Sequence, residues 1–368
     1  MLNKVKVYYN YFKSAKTRKP IVVIESDDWG GIRMPDKQTY DKLFKSDLKV
    51  SNNPFNKLDS LETPDDLEFL LRVFKGIYEN FGKKVKITQN FIVGNPDFDK
   101  ISNDGFDSYY FETFRESYKR LNINGDTWGK LNEGIQEGYF RPQFHGREHV
   151  NVGKWFEMLR SGFKPAIEAF ESKTFAADFF FNNKNMHLLR AYDYRNKSEL
   201  DFISESIREG FEIFKNEFGF ESKSAIAPAA VWNKAIEDSY FQAGVETIQS
   251  FVIQKECGNN YLKNVFHYTG ELNSNNQQYL VRNCIFEPIT NLDFHWVRSC
   301  LKQINLAFYL NKPAIISMHR VNFSGRIDEV KRNKSLALFE QLLILILKKW
   351  PDVEFETSDS FASQIKGN

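Results

Sequence analysis

The sequence has few cysteines and no excess of charge of either sign. Its three cysteines form no Cys-x-x-Cys pair, which excludes a disulfide framework and a cysteine-rich zinc site as organising features. Its 50 Lys and Arg residues against 48 Asp and Glu leave a formal charge of only +2. A general nucleic-acid binder usually has a strong basic excess, so we expect no nucleic-acid partner.

Long apolar runs are also missing. The most apolar stretch, Leu336–Leu347, is interrupted by Glu340 and Gln341. It is too short to cross a bilayer whose hydrocarbon core is about 30 Å thick. The first twenty residues are rich in lysine and lack the apolar segment of a signal peptide. We therefore expect no membrane span and a cytoplasmic location.

What is present is the composition of a soluble globular chain with a large core, 42% hydrophobic and 27% charged. Short apolar runs alternate with segments whose apolar residues have helical spacing. Strands are predicted at Pro20–Ser26, Val85–Phe91, Tyr139–His145, Thr174–Phe181, Ser224–Ala229, Glu246–Phe251, Tyr279–Phe286, Ala314–Met318 and Val353–Glu356. Helices are predicted at Pro64–Phe81, Lys154–Glu171, Glu199–Phe218, Asn233–Ala243, Asp293–Leu310 and Ile327–Lys349.

This alternation of strands and helices indicates an α/β fold with a mostly parallel sheet. About eight such units favour a distorted (β/α) TIM-like barrel of seven or eight strands over an open sheet. The first strand is not followed by Gly-x-Gly-x-x-Gly, which weakens the case for dinucleotide binding. Polar segments near residues 95–124 and 255–276 are predicted as loop insertions in a single domain that covers residues 1–368.

Catalytic residues of such barrels lie at the carboxyl ends of the strands, so polar residues there are the candidates. Asp27 and Asp28 follow the first predicted strand and precede Gly30 and Gly31. If the strand ends at Ser26, the glycine turn lets both carboxylates approach one centre. Two carboxylates that share a site favour a cation or a proton between them. The alternative is an Asp-rich turn or helix cap.

Two further candidates are histidines at predicted strand ends. His145 and His149 are four residues apart, and on a helix both imidazoles would face one metal ion. The alternative is a surface helix with two unconnected histidines. His319 directly follows a β-branched strand and has the side chain of a general acid or base at neutral pH. A buried histidine that bonds a backbone carbonyl is the alternative for His319.

The ordered set of motifs resembles the polysaccharide deacetylase family of NodB-like carbohydrate esterases. The family's Thr-Phe-Asp-Asp-Gly corresponds here to Glu25–Gly30, and its His-Ser/Thr-x-x-His to His145–His149. Its late Leu-x-His corresponds to Ser317–His319. The place of its Arg-x-Pro motif is taken by Ala225–Trp232, which keeps the proline but lacks the arginine.

The resemblance implies a metal-dependent deacetylase that acts on an N-acetylated saccharide or small glycoconjugate. Asp28, His145 and His149 would bind one divalent metal, with zinc favoured and other transition metals possible. Asp27 would be the catalytic base and His319 the acid. In the family, the arginine of that motif orients the catalytic Asp. It is missing here, and Arg141, Arg147 and Arg320 are candidate replacements because they lie in or beside a motif.

Four other residues beside the motifs are candidate substrate contacts. Trp29 and Trp232 are predicted as pocket walls on which a sugar ring could stack. Glu287 follows a predicted strand and is either a substrate contact or a loop anchor. Arg147 is a substrate contact or, together with Glu148, the solvent face of a helix.

Three other functions stay open at this stage. One is a catalytically silent barrel that binds saccharide or metal, which the missing arginine motivates. Another is a hydrolase of the same fold that acts on a non-sugar C–N bond. The third is a metal-free glycosidase with paired carboxylates, for which Glu287 is the one candidate opposite Asp27 and Asp28.

Overall fold

The structure is a computed structural model that describes residues 11–46, 48, 50, 53–121, 125–258 and 261–366. The described strands are β1 (Ile21–Trp29), β2 (Ile87–Ile92), β3 (Gly94–Pro96), β4 (Phe111–Thr113), β5 (Phe140–Gly146), β6 (Phe179–Phe181), β7 (Lys184–Met186), β8 (Ser224–Ala225), β9 (Val231–Trp232), β10 (Thr247–Phe251), β11 (Ile253–Gly258), β12 (Tyr261–Phe266), β13 (Gln278–Arg282), β14 (Cys284–Ile285), β15 (Ala314–His319) and β16 (Glu354–Glu356).

The described helices are α1 (Lys37–Phe44), α2 (Pro54–Leu58), α3 (Pro64–Phe81), α4 (Phe98–Asn103), α5 (Phe114–Leu121), α6 (Thr127–Gln136), α7 (Val152–Arg160), α8 (Lys164–Glu171), α9 (Lys197–Phe218), α10 (Lys234–Gln242), α11 (Trp296–Tyr309), α12 (Glu329–Lys349) and α13 (Ser358–Lys366). Helix α3 has the predicted bounds because neighbouring residues determine where it begins: the Thr63 side chain accepts from the Asp66 amide in a capping box. Within the described ranges, no helix is long and apolar enough to cross a membrane.

The main sheet is parallel and nearly closes into a barrel, which confirms the predicted fold class. Its strands have the order β13–β10–β8–β5–β2–β1–β15–β14, and β16 pairs with the amino end of β1. Only Asn283 separates β13 from β14, so the two ends of this order are consecutive pieces of the chain. Helices cover the outside of the sheet and share a large hydrophobic core with it.

The inside of the barrel is apolar at the amino ends of the strands and polar above that level. Phe361 of α13 closes the amino end, where it packs with Ile21, Val23, Leu280 and Ile315. Above them, buried polar side chains from different strands hydrogen-bond to one another: Glu25, Asn90, Gln143, Ser224, Gln249, Arg282 and Ser317. The polar residues of the candidate site therefore pack against a layer of buried polar side chains rather than against apolar ones.

Several predicted elements differ from the structure. The predicted strand Ser224–Ala229 is a strand only over Ser224–Ala225, and the predicted strand Tyr279–Phe286 is the two strands β13 and β14. The predicted strand Thr174–Phe181 is wrong, because only Phe179–Phe181 forms a strand, and it pairs with β7 outside the main sheet. The run is apolar because Phe175 and Ala177 are buried in a second hydrophobic cluster. The predicted helix Lys154–Glu171 is two helices, since Gly162 between them has a positive φ of 68°.

Both segments predicted as loop insertions contain regular structure. Residues 95–124 include α4 and α5 and most of the antiparallel β3–β4 pair, and residues 255–276 include most of the β11–β12 hairpin. Residues 122–124 and 259–260 of these segments, and residues 1–10 of the Lys-rich start, lie outside the described residues.

Candidate metal centre

The two carboxylates of the first motif lie on a bulge of β1. The strand does not end at Ser26 but continues to Trp29, and its register on β2 shifts between these two residues. Asp28 has a positive φ of 73°, a conformation that a non-glycine residue rarely adopts. Adjacent side chains of a regular strand point to opposite faces, but a bulge breaks this alternation. Asp27 and Asp28 can therefore both point towards the candidate site.

Gly30 completes this turn, and a larger residue does not fit at its position. Its φ is 74°, and a Cβ atom would lie 2.6 Å from the carbonyl oxygen of Ile92. Its amide donates to the Glu62 carboxylate at 3.1 Å. The glycine therefore allows β1 to turn directly against β2 beside the carboxylates.

The structure brings Asp28, His145 and His149 together, all buried. Asp28 Oδ1 lies 3.2 Å from His145 Nε2 and 3.3 Å from His149 Nε2. The three groups each offer one ligand atom within 4.8 Å of the others. His145 Nδ1 donates to the Ile226 carbonyl at 2.9 Å, which leaves the lone pair of Nε2 for a ligand. A carboxylate oxygen and two imidazole nitrogens are a donor set that zinc accepts.

The second motif reaches this arrangement without a helix. Gly146 ends β5 with a φ of 141°, and residues 147–149 form a turn, so the expected helical spacing is wrong. Burial lowers the pKa of His149 to about 3, so its imidazole is neutral and able to bind a metal. Despite its burial, Asp28 has a pKa well below the ordinary value, because Arg33 and the imidazoles favour the carboxylate.

Asp27 is held by an arginine that the sequence analysis did not single out. Arg282 donates from Nη1 to Asp27 Oδ2 at 2.6 Å and from Nη2 to Asp27 Oδ1 at 2.7 Å. Its Nε donates to Glu25 at 2.6 Å, and Asn90 donates to Asp27 Oδ1 at 2.7 Å. Burial opposes ionisation, yet Arg282 keeps the pKa of Asp27 below its ordinary value.

The three arginines expected as replacements lie elsewhere. Arg141 pairs with Asp359 of α13, and Arg320 pairs with Asp59 and Glu62. Arg147 is buried rather than on the solvent face of a helix. It pairs with Glu148, and its guanidinium lies 4.5 Å from the centre of the Phe111 ring. Arg147 therefore stabilises the packing behind the turn and is not placed as a substrate contact.

His319 lies across from Asp27 and is oriented by Glu287. Its Nδ1 lies 2.5 Å from Glu287 Oε1, and its Nε2 lies 4.0 Å from Asp27 Oδ2. Asn322 donates to the other oxygen of Glu287 at 2.7 Å. Burial alone would lower the pKa of His319, but the Glu287 carboxylate outweighs it and raises this pKa to about 9. His319 therefore carries a proton at neutral pH, and Glu287 acts on it rather than as an exposed substrate contact.

The two tryptophans expected as pocket walls belong to the core. Trp29 is 1% exposed and packs among Phe91, Phe140 and Phe323. Trp232 is fully buried, and its indole N–H donates to Glu237. Neither ring has a free face on which a sugar could stack.

The sequence does contain a signal for the residue that was missed. Arg282 interrupts the apolar run Tyr279–Phe286, where a charged side chain in a buried strand needs a partner. The partner could not be named, because Asp27 and Arg282 are 255 positions apart.

Comparisons with known proteins give similarities of fold at low sequence identity. No known protein-family profile matches the sequence, and no curated protein matches it. Solved polysaccharide deacetylases are among the structures that this chain resembles. A protein from Mycobacterium smegmatis described as a polysaccharide deacetylase is 9% identical with a TM-score of 0.44, over 96% of this chain and 95% of that one.

Two other solved structures have different activities. Puue allantoinase is 11% identical with a TM-score of 0.47, over 95% of this chain and 91% of that chain. The 4-alpha-glucanotransferase of Thermococcus litoralis is 11% identical with a TM-score of 0.44. This chain spans 40% of the length of the glucanotransferase, and 94% of this chain is covered.

Proposed function

We propose that this chain is a metal-dependent hydrolase that removes the acetyl group from an N-acetylated saccharide or small glycoconjugate. The observation that carries the proposal is the convergence of Asp28, His145 and His149 beside a second, ionised carboxylate and a protonated histidine. Amide hydrolysis needs these parts: a site for a Lewis acid, a base for water and an acid for the leaving amine.

Asp28, His145 and His149 would hold one divalent metal, for which zinc suits the donor set. Such an ion supplies a Lewis acid for the amide carbonyl and lowers the pKa of a water molecule towards 7. The chain prepares for it with a neutral His149 and with a His145 whose Nδ1 is already bonded.

Asp27 is the base in this proposal. Both of its oxygens accept from Arg282, which keeps the carboxylate ionised and fixes its plane. Removing a proton from water requires a carboxylate that starts without one, and Arg282 supplies that condition. Glu25 holds the guanidinium from the other side, so the clamp on Asp27 is rigid.

His319 is the acid that protonates the leaving amine. Its Nδ1 is committed to Glu287, so the proton that it can deliver is the one on Nε2, which faces Asp27. Among the five side chains, that of His319 is the most exposed, at 23% against 7% or less for the others. A substrate would therefore meet the site first at His319.

The test combines metal analysis with activity. Purified protein should contain about one equivalent of transition metal, and His145→Ala should lower this to near none. The zinc-loaded protein should release acetate from a panel of N-acetylated sugars, and Asp27→Asn should abolish this release with the metal still bound. Equal inertness of the wild type and Asp27→Asn on the whole panel would instead favour a saccharide-binding barrel without activity.

A second candidate function is hydrolysis of a small non-sugar C–N bond. It is favoured by the burial of the site and of Trp29 and Trp232, neither of which presents a face to a sugar. Adding cyclic and linear amides to the substrate panel separates the two functions. Cleavage of a glycosidic bond that survives a chelator would contradict both functions and would favour a glycosidase that uses carboxylates alone.

A further inference from the structure

We propose that Arg33 controls how Asp28 faces the metal, reserving one carboxylate oxygen for the ion and limiting how tightly the ion is held. This inference rests on the proposed function, because it concerns the same three ligand residues. Arg33 belongs to none of the sequence motifs, and it follows the glycine turn after β1.

The two oxygens of Asp28 have different partners. Oδ1 faces the imidazole Nε2 atoms of His145 and His149, at 3.2 and 3.3 Å. Oδ2 accepts from Nη2 of Arg33 at 2.6 Å. Both the Arg33 and Asp28 side chains are buried, 8% and 4% exposed, so water does not screen this pair. The guanidinium occupies space and one lone-pair direction at Oδ2, so Oδ1 is the better metal ligand of the two oxygens.

Arg33 is itself held in place by the fold. Its Nε lies 3.2 Å from Asp59 Oδ2, and its backbone N–H donates to the Asp59 carbonyl at 3.3 Å. Asp59 Oδ1 accepts from Arg320 at 2.6 Å, and Arg320 also pairs with Glu62 at 2.7 Å. The guanidinium of Arg33 therefore cannot swing away when an ion binds unless this buried network breaks.

Two physical consequences follow for the ion. With Oδ2 occupied, Asp28 offers a single oxygen, which keeps a coordination position open for water and substrate. The guanidinium also places a positive charge close to a cation in a poorly screened site, which weakens metal binding. Asp59 offsets part of that repulsion because its carboxylate lies next to Arg33.

The decisive variant is Arg33→Met, which keeps an unbranched side chain and removes the charge and the donors. We expect zinc and Co²⁺ to bind about tenfold more tightly or better in a competition titration with a chelator. The visible absorption of the Co²⁺ protein should weaken as Oδ2 becomes a further ligand. Loss of affinity, or an unchanged affinity and spectrum, would overturn the proposal, because a purely structural Arg33 predicts one of those results.

Three further variants serve as controls. Arg33→Lys keeps the charge and a donor, so its affinity should stay within about threefold of the wild type. Asp59→Asn removes the offsetting charge and should weaken binding, opposite to Arg33→Met. Arg72→Met, at a position 66% exposed on α3, should change nothing. If Arg33→Met does not fold, Asp59→Asn decides, and tighter or equal binding there counts against the proposal.

The same titration separates this inference from the proposed function. A wild-type protein that binds neither zinc nor Co²⁺ at one equivalent contradicts the proposed function as a whole. A wild type that binds one equivalent, with an Arg33→Met variant of equal affinity, contradicts only the role of Arg33.

Discussion

At the scale of single residues, the site depends on which side chain pairs with each buried charged group. Arg282 is the common partner of Asp27 and Glu25, two buried carboxylates. Removing one partner of a buried ion pair leaves an uncompensated charge, whereas replacing it by another cation does not. The geometry of the pair, rather than its presence alone, is what orients the base.

This distinction predicts different results for two variants of Arg282. Arg282→Lys should keep one equivalent of metal but lower kcat at least about tenfold, because an ammonium cannot make the two parallel hydrogen bonds to Asp27. Arg282→Met should lower the free energy of unfolding by about 3–5 kcal/mol. The measurements are steady-state kinetics with metal analysis for the first variant and urea unfolding for the second. A Lys variant with wild-type kcat would show that the clamp does not matter.

The protonation of His319 is the second prediction at this scale. Glu287→Gln should lower the pKa of His319 from about 9 towards its ordinary value near 6.5, because burial is then opposed only by the weaker influence of Asp28 and Asp27. The measurement is an NMR titration of the imidazole in metal-free protein. His187, which lies away from Glu287, is the internal control and should titrate as before. An unchanged His319 titration would rule out Glu287 as its partner.

The same shift affects stability with a defined sign. The folded-state pKa of His319, about 9, lies above the ordinary value of 6.5 that applies to the unfolded chain. The proton on His319 therefore stabilises the fold fully below about pH 6.5, and this contribution is lost as the pH rises through about 9. Urea unfolding of the metal-free protein at pH 6 and pH 10 should show a larger loss for the wild type than for Glu287→Gln.

At the scale of elements, the bulge at the end of β1 determines where the carboxylates go. Gly30→Ala should lower the free energy of unfolding by at least about 2 kcal/mol, because the new Cβ atom meets the Ile92 carbonyl and φ is positive. Gly82→Ala, also at positive φ but with open space around it, should lose about 1 kcal/mol. Gly76→Ala, inside α3 and unobstructed, should gain about 0.5–1 kcal/mol. Equal losses in the first two variants by urea unfolding would contradict the close approach of β1 and β2.

At the scale of the whole molecule, the barrel is closed at its amino end by the last described helix. Phe361 of α13 is fully buried among apolar side chains of β1, β13 and β15, and Ser358 donates to Glu25 at 2.8 Å. The carboxyl-terminal part of the chain therefore supports the polar layer on which Arg282 and Asp27 stand.

Removing the Phe361 ring should destabilise the fold because the ring is fully buried. Phe361→Ala should lower the free energy of unfolding by about 3–5 kcal/mol through the cavity that it leaves. Phe241→Ala on α10, where the ring is 55% exposed, is the matched control and should change it by less than about 0.5 kcal/mol. The two values come from urea unfolding, and a small effect at both positions would mean that α13 does not close the barrel.

Features that depend on neighbouring residues could be predicted from the sequence alone. The alternation of strands and helices predicted a parallel barrel, and the helical spacing of apolar residues predicted α3, because both signals are local. Asp28, His145 and His149 could be named as candidates for the same reason: their residue types at the ends of apolar runs are visible in the sequence. Thr174–Phe181 was mistaken for a strand because an apolar run does not show which surface buries it.

Features that depend on closure of the barrel required the folded chain. Arg282 of β13 reaches Asp27 of β1 because closure of the sheet brings β13 near β15, the strand that pairs with β1. No local pattern encodes that contact. Trp29 and Trp232 are core residues for a related reason, since burial follows from the elements packed around a side chain. Arg33 reaches Asp28 through the turn after β1, whose path follows from a bulge that residue spacing did not reveal.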